Sequence, residues 1–154
     1  MRGLGILCRS TEGLPEVHSV LVVGDRGGVE EHEVDPFTFV PSPRVALPGQ
    51  LSDLSRAFAS YLAGDELDAI VVRTVDFHRN LRITDGLRNR FHAEGVLLEQ
   101  ATARVGEVRE MSGRDIGQVL GIQKAEAVAM GEALVGKQYR DEAAAALAAV
   151  HISA

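Results

Sequence analysis

Two sets of side chains in this sequence could do chemistry. The first is a set of carboxylates. Asp76 follows the apolar stretch 68–74, and Asp141 and Glu142 open the last helical stretch. If Asp76 and Glu142 met at one end of a sheet, they would offer the oxygen ligands that a hard cation such as Mg2+ or Mn2+ requires. Two such cations generate a nucleophile and clamp the leaving oxygen in phosphodiester cleavage. Glu94 and Glu99 lie on the preceding helical stretch. The second set is cationic: Arg73, Arg79, Lys124 and Arg140. These could pair with the carboxylates or hold an anion, and an arginine fork suits planar anions well. Arg73 stands out because it sits in an apolar strand, where a charge needs a partner or a water-lined end. Asp76 is the nearest candidate partner.

Other local patterns carry less. His92-Ala93-Glu94 has the H-x-E shape of zinc deaminases, but the chain has one cysteine and no P-C-x-x-C partner. Gly24-Asp25-Arg26-Gly27-Gly28 lacks the Lys-Ser/Thr of a phosphate loop and leads into a strand, so it reads as a turn. His18 and His32 could face each other across that hairpin as a surface pair. Ser10 and Ser52 have no nucleophile elbow around them. Cys8, the single cysteine, excludes an intrachain disulfide and reads as a buried strand residue.

The elements that must position these groups follow from composition and period. The 154 residues are 45% hydrophobic and 25% charged, the balance of a globular chain with enough length for one core. A single domain over 1–154 is expected. Net charge is −6, against a wholly basic nucleic-acid binder. The charge is uneven: residues 1–66 carry 10 acidic and 5 basic side chains, whereas 73–90 carry five arginines against two aspartates. Contact of that local patch with phosphate is open, as is simple solvation. No apolar run is long enough to span a bilayer, and the run Gly3–Cys8 is too short for a secretory core, so a cytoplasmic protein without membrane contact is expected.

Strands are expected at 2–8, 17–23 and 29–34, the last polar enough for a sheet edge. The prolines of 35–50 mark an irregular connection. Ser52 or Asp53 caps a helix to about 63. Residues 68–74 read as a strand buried on both faces. A helix at 85–104 presents Leu87, Phe91, Leu98 and Ala101. A strand at 106–111 follows, and then helices from Ser112 or Asp115 to Gly121, at 123–134 and at 138–151. The order is β-β-β-α-β-α-β with closing helices, an α/β (α+β-like) layered domain on a mixed five-stranded sheet with 68–74 central.

This order resembles the ribonuclease H-like superfamily, and local stretches resemble its RuvC-type Holliday junction resolvase branch. Leu4-Gly5-Ile6 resembles the lead into that family's first catalytic Asp. Residues 68–74 with Val75-Asp76-Phe77 resemble its fourth strand and exit. Ala93-Glu94-Gly95-Val96 resembles a mid-helix small-x-Gly-apolar element, where glycine would let helix and sheet approach closely. Val119-Leu120-Gly121-Ile122-Gln123-Lys124-Ala125-Glu126 and Asp141-Glu142-Ala143-Ala144-Ala145-Ala146-Leu147-Ala148 resemble the last helices.

The resemblance implies a four-carboxylate, two-metal site, and this chain departs from it. The positions of the strand-one Asp, the strand-four Glu and the final helical Asp hold Leu7, Arg73 and Ala145; only Glu142 falls on an acidic position. The leading expectation is therefore a catalytically degenerate RuvC-like domain, a binding or scaffold module linked to nucleic-acid processing, with no metal or other cofactor. Arg73, Arg79, Lys124 and Arg140 are its candidate binding residues. Two alternatives stand beside it: a Mg2+- or Mn2+-dependent nuclease using Asp76, Asp141 and Glu142, and a small-anion-binding domain. The resemblance also implies a homodimer. Helix 85–104 is the expected surface, because Val96, Leu97 and Val105 widen its apolar stripe beyond what one sheet needs.

Overall fold

The structure is a computed structural model describing residues 1–154. Its elements are β1 (Arg2–Thr11), β2 (Leu14–Asp25), β3 (Gly28–Val34), α1 (Leu47–Gly64), β4 (Ala69–Arg73), α2 (Asp85–Thr102), β5 (Glu107–Met111), α3 (Gly113–Leu120), α4 (Lys124–Val135) and α5 (Arg140–Ser153). A 3-10 turn, Lys137–Tyr139, precedes the last helix. The strands form one mixed sheet in the order β3-β2-β1-β4-β5. β1, β2 and β3 form an antiparallel meander, while β4 is parallel to both β1 and β5. The expected five-stranded mixed sheet is therefore present, with residues 2–8 beside 68–74. One detail differs. β1, not 68–74, is the middle strand, because both the hairpin and the α1 crossover return the chain to its flanks.

Apolar alternation on the strands divides the core between two faces. On one face Leu4, Ile6, Cys8, Leu21, Ile70 and Val72 meet Leu54 and Phe58 of α1 and Ala93 and Leu97 of α2. Full burial of a side chain such as Leu54 or Phe58 stabilises the fold by about 1.5–3 kcal/mol. On the other face Ala69 and Val71 meet Ala144, Ala145 and Ala148 of α5, and Val20 and Val22 meet Ala143 and Ala146. The weak amphipathicity of α5 follows from this placement, since eight of its residues are buried between the sheet and α3 and α4.

The approach of α5 to β1 is set by small residues on both sides. A Cβ on Gly5 would lie 2.0 Å from the Glu142 carbonyl oxygen and 2.3 Å from the Ala146 nitrogen. The glycine needed for close helix–sheet contact is thus Gly5 and not Gly95. Gly95 is exposed, with open space where its Cβ would be, which corrects the reading of the mid-helix glycine.

Two helix expectations are also corrected. α1 begins at Leu47 behind Ala46, with no side-chain cap and with Pro48 in its first turn. The fixed φ of proline suits that place, so the proline-rich stretch ends in a helix instead of running past one. On α2 the fully buried side chains are Ala93, Glu94, Leu97 and Ala101, while Leu87, Phe91 and Leu98 are only half-buried. α1 lies against α2 in the same layer and takes up Leu97 and Val105 in the shared core. The other caps fall where the side chains suggest. Thr84 Oγ1 accepts from Leu87 N, and Ser112 and Asp115 form a reciprocal capping box on α3.

Candidate functional site

The parallel ladder of β1 and β4 ends at Leu7 opposite Arg73, with Met111 beyond Arg73 on β5, while β1 runs on beside β2 to Thr11. Ligands of open α/β sheets gather outside such strand ends. Arg73 is buried, with a relative exposure of 8%, so its guanidinium must be satisfied within the protein. It donates to the Thr74 carbonyl and lies 3.2 Å from Asp76 Oδ2. The expected Arg73–Asp76 partnership is present.

Asp76 is the hub of this end of the sheet. Its Oδ2 also accepts from Lys124 Nζ at the start of α4, and Oδ1 accepts from the backbone N–H of Arg114 in the first turn of α3, 3.3 Å away. Partial burial pushes the Asp76 carboxyl up. The Lys124 hydrogen bond, the Arg73 charge and the Arg114 N–H outweigh that and hold it below its ordinary value. A second layer stands behind. Arg90 donates to the Arg73 carbonyl at 3.1 Å and pairs with Glu94 at 3.0 Å, and Thr74 Oγ1 donates to Glu94 Oε2 at 3.0 Å. Burial raises the Glu94 carboxyl above its ordinary value despite Arg90.

Two open cavities, of about 590 and 460 Å3, flank the Asp76–Lys124 pair. The larger is lined by Ser112, Arg114, Gln118 and Gln123; the smaller by Leu7, Arg73, Arg90 and Asp141. Arg114 lines the larger and is exposed; Arg79 and Arg82 are exposed in the loop whose His78 and Leu81 line the smaller, and none of the three arginines forms an ion pair. Phe77, 68% exposed, stacks on Phe91 with centroids 6.0 Å apart. The mouth is thus cationic, with an aromatic face at its rim.

The carboxylates do not assemble into a two-metal site. Glu142 is fully buried beside Arg9, 2.5 Å from its guanidinium, and its Oε2 has no partner. Burial raises its carboxyl above the ordinary value, although its own backbone N–H and Arg9 oppose the rise. Asp76 is held by Arg73 and Lys124, and of the three carboxylates only Asp76 and Asp141 line a common cavity. No group of three or more His, Cys, Asp or Glu side chains is placed to hold a metal ion. Leu7 offers hydrocarbon, and Ala145 is buried against the sheet. The expected meeting of Asp76 and Glu142 is therefore corrected, and the donor set does not fit the cation pair that the fold's resemblance implies. Of the expected binding residues, Arg73 and Lys124 meet at Asp76 and Arg79 lies on the exposed loop beyond it. Arg140 instead pairs with Glu132 at 3.3 Å, away from both cavities.

A second polar cluster forms around His18, with partners other than the one expected from the sequence. His18 stands beside Leu7 on β2 and does not face His32, which pairs with Val22. Its Nδ1 is 2.8 Å from Asp35 and its Nε2 2.5 Å from Glu16. Tyr139 donates to Asp35 at 3.2 Å, sets its ring edge against His18, and lies under Arg9. Burial lowers the His18 pKa, but hydrogen bonds to Asp35 and Glu16 outweigh it, so the imidazole is held above its ordinary value. The same-face spacing of Glu16 and His18 is a usable signal in the sequence; Asp35 and Tyr139 give none. Arg9 and Arg114 likewise join these networks without a local signal, whereas the i,i+4 spacing of Arg90 and Glu94 on α2 is one.

Comparison with known proteins supports the fold. No family model matches the chain, and no curated protein matches it significantly. Among solved structures it resembles Thermus thermophilus RuvC, with 18% identity, 96% of this chain and 92% of the other covered, and a TM-score of 0.64. It also resembles T. thermophilus RuvC in complex with Holliday junction substrate, with 18% identity, 99% and 94% coverage, and a TM-score of 0.70. The chain has a RuvC-like, ribonuclease H-like α/β fold. No helix is long and apolar enough to cross a membrane.

Proposed function

We propose that the chain, acting as one domain in the cytoplasm, is a non-catalytic RuvC-like module that binds nucleic acid at the cationic strand ends. One observation carries the reading: where β4 ends beside β1, Leu7 and Arg73 stand together, and Asp76 is neutralised by Arg73 and Lys124. A cleft of this polarity attracts phosphate and repels divalent cations. Arg79, Arg82 and Arg114 have no internal partners and would contact the sugar–phosphate backbone, each contact adding salt dependence. Phe77 offers an exposed ring on which an unpaired base stacks. The likeness to a RuvC bound to Holliday junction substrate makes branched DNA the first probe. Self-association through α2 belongs to the same proposal. Because Leu97 and Val105 lie in the core, it would use the half-buried Leu87 and Phe91.

Fluorescence anisotropy with a four-way junction, the matching duplex and the single strands over a salt series tests this. Binding should weaken steeply with salt, and Arg79→Ala with Arg114→Ala should cost about tenfold in affinity. Phe77→Ala should weaken binding to the junction or single strands more than to the duplex. No binding at low salt would sink the reading. Retention of inorganic phosphate with no DNA affinity would favour small-anion binding. Cleavage with Mg2+ or Mn2+ that disappears in Asp76→Ala or Glu142→Ala would replace it with the nuclease reading.

A further inference from the structure

We propose that the free edge of β3 is a docking surface for an extended segment of another protein in which basic and apolar residues alternate. That segment would add to the sheet as a sixth strand. β3 is an outermost strand, with β2 its only neighbour, and all seven of its residues are exposed. The N–H and C=O groups of residues 29–34 that point away from β2 bond nothing else in the chain. Such an edge is a ready template for strand addition, with main-chain hydrogen bonds giving affinity and side-chain pockets giving selectivity.

The register decides what the added strand must carry. Val20 and Val22 pack on α5, and their partners on β3 are Val34 and His32; Val29 lies on the same face beside Gly24. That face continues into an open apolar groove of about 300 Å3 formed by Val29, Met130, Ala133, Leu134 and Leu147. Val29 and Met130 remain 39% and 46% exposed. Leu21 and Val23 point to the opposite face, and their β3 partners are Glu33 and Glu31. Neither glutamate, nor Glu30 beside them, forms an ion pair. On the other edge strand, β5, Arg109 pairs with Glu107 at 2.7 Å and only Glu110 has no ion pair. The edge of β3 is therefore two-sided: apolar toward α4, acidic toward α1. Cross-strand neighbours share a face, so a complementary strand sets valine-like residues toward the groove and lysine or arginine beside Glu31 and Glu33. A second copy of β3 would place glutamates against glutamates and is disfavoured by the same rule. The cationic mouth lies at the end of β4, beside Leu7 of β1, so this surface is independent of nucleic-acid binding.

The probe is a fluorescein-labelled heptapeptide of alternating Lys and Val, titrated by anisotropy against the intact protein. It should bind, should lose about tenfold in affinity to Glu31→Lys/Glu33→Lys, and should weaken again with Met130→Glu. A Glu–Val peptide and a Lys–Val peptide N-methylated at alternate residues should not bind. Hydrogen exchange at residues 29–34 should slow in the wild-type complex. Absence of binding at about 1 mM peptide overturns the proposal. So does equal binding of the N-methylated peptide, or affinity unchanged by reversing Glu31 and Glu33. Circular dichroism of the variants, whose changes are all on exposed side chains, separates lost binding from lost folding.

Discussion

Leu7 and Arg73 are direct neighbours in the parallel ladder of β1 and β4, a hydrocarbon beside a buried guanidinium where that ladder ends. Arg73 is sustained there by the Thr74 carbonyl and by Asp76, and Asp76 in turn ties β4 to α3 and α4. Arg73 and Asp76 therefore set the polarity of the mouth and join β4 to the helices that form its wall.

Arg73→Glu should destabilise the fold by about 3 kcal/mol or more, because it buries a second carboxylate beside Asp76 and removes the cation that balanced it. Arg73→Met should cost less, since Lys124 still neutralises Asp76. Urea denaturation of both variants measures this. Equal stability of Arg73→Glu and wild type would mean that the guanidinium is solvated.

The Asp76 carboxyl is held below its ordinary value in the fold, so it adds stability above its unfolded pKa of about 4. That stability disappears as pH falls through the lower folded value. Lys124→Gln removes the main opposing interaction, and the Asp76 pKa should rise toward the ordinary carboxylate range. Carbon-detected NMR titration reads the shift; an unmoved Asp76 would dissociate it from Lys124.

His18 has the opposite sign. Its folded pKa is raised above the ordinary 6.5 by Asp35 and Glu16. The imidazolium's contribution is complete below about 6.5 and is lost as pH rises from there through the folded value. Stability of the wild type should decline over that window, and His18→Gln should flatten the decline. Thermal melts at stepped pH give the comparison, and identical slopes would remove His18 as the cause.

Two glycine substitutions should move stability in opposite directions. Gly5→Ala forces α5 off β1 against backbone atoms at 2.0 and 2.3 Å and should cost about 3 kcal/mol. Gly95→Ala fills open space on an exposed helical turn and should gain about 0.5–1 kcal/mol. A neutral Gly5→Ala would show that α5 can retreat freely.

Much of the fold is legible in the sequence because its signals are local. The β-branched run 17–23, the glycine turn at 24–28, the apolar 68–74, the Thr84 and Ser112 caps and the left-handed Gly121 each report on a few adjacent residues. That Leu7, Arg73 and Ala145 are not carboxylates is a matter of residue type, so the sequence alone carries it. Tertiary packing decided the rest. Side-chain period places Leu87, Phe91 and Leu98 on one stripe of α2, but the flank of α1 makes Leu97 the buried residue. Asp76 and Glu142 are both acidic near one sheet end. The ladder and crossovers deliver Lys124 and Arg73 to one and Arg9 to the other, so they never share a cation. His18 meets Asp35 and Tyr139 for the same reason. Local period reports which way a side chain leans, whereas its partner is chosen by strand register and helix packing, which join segments far apart in the chain.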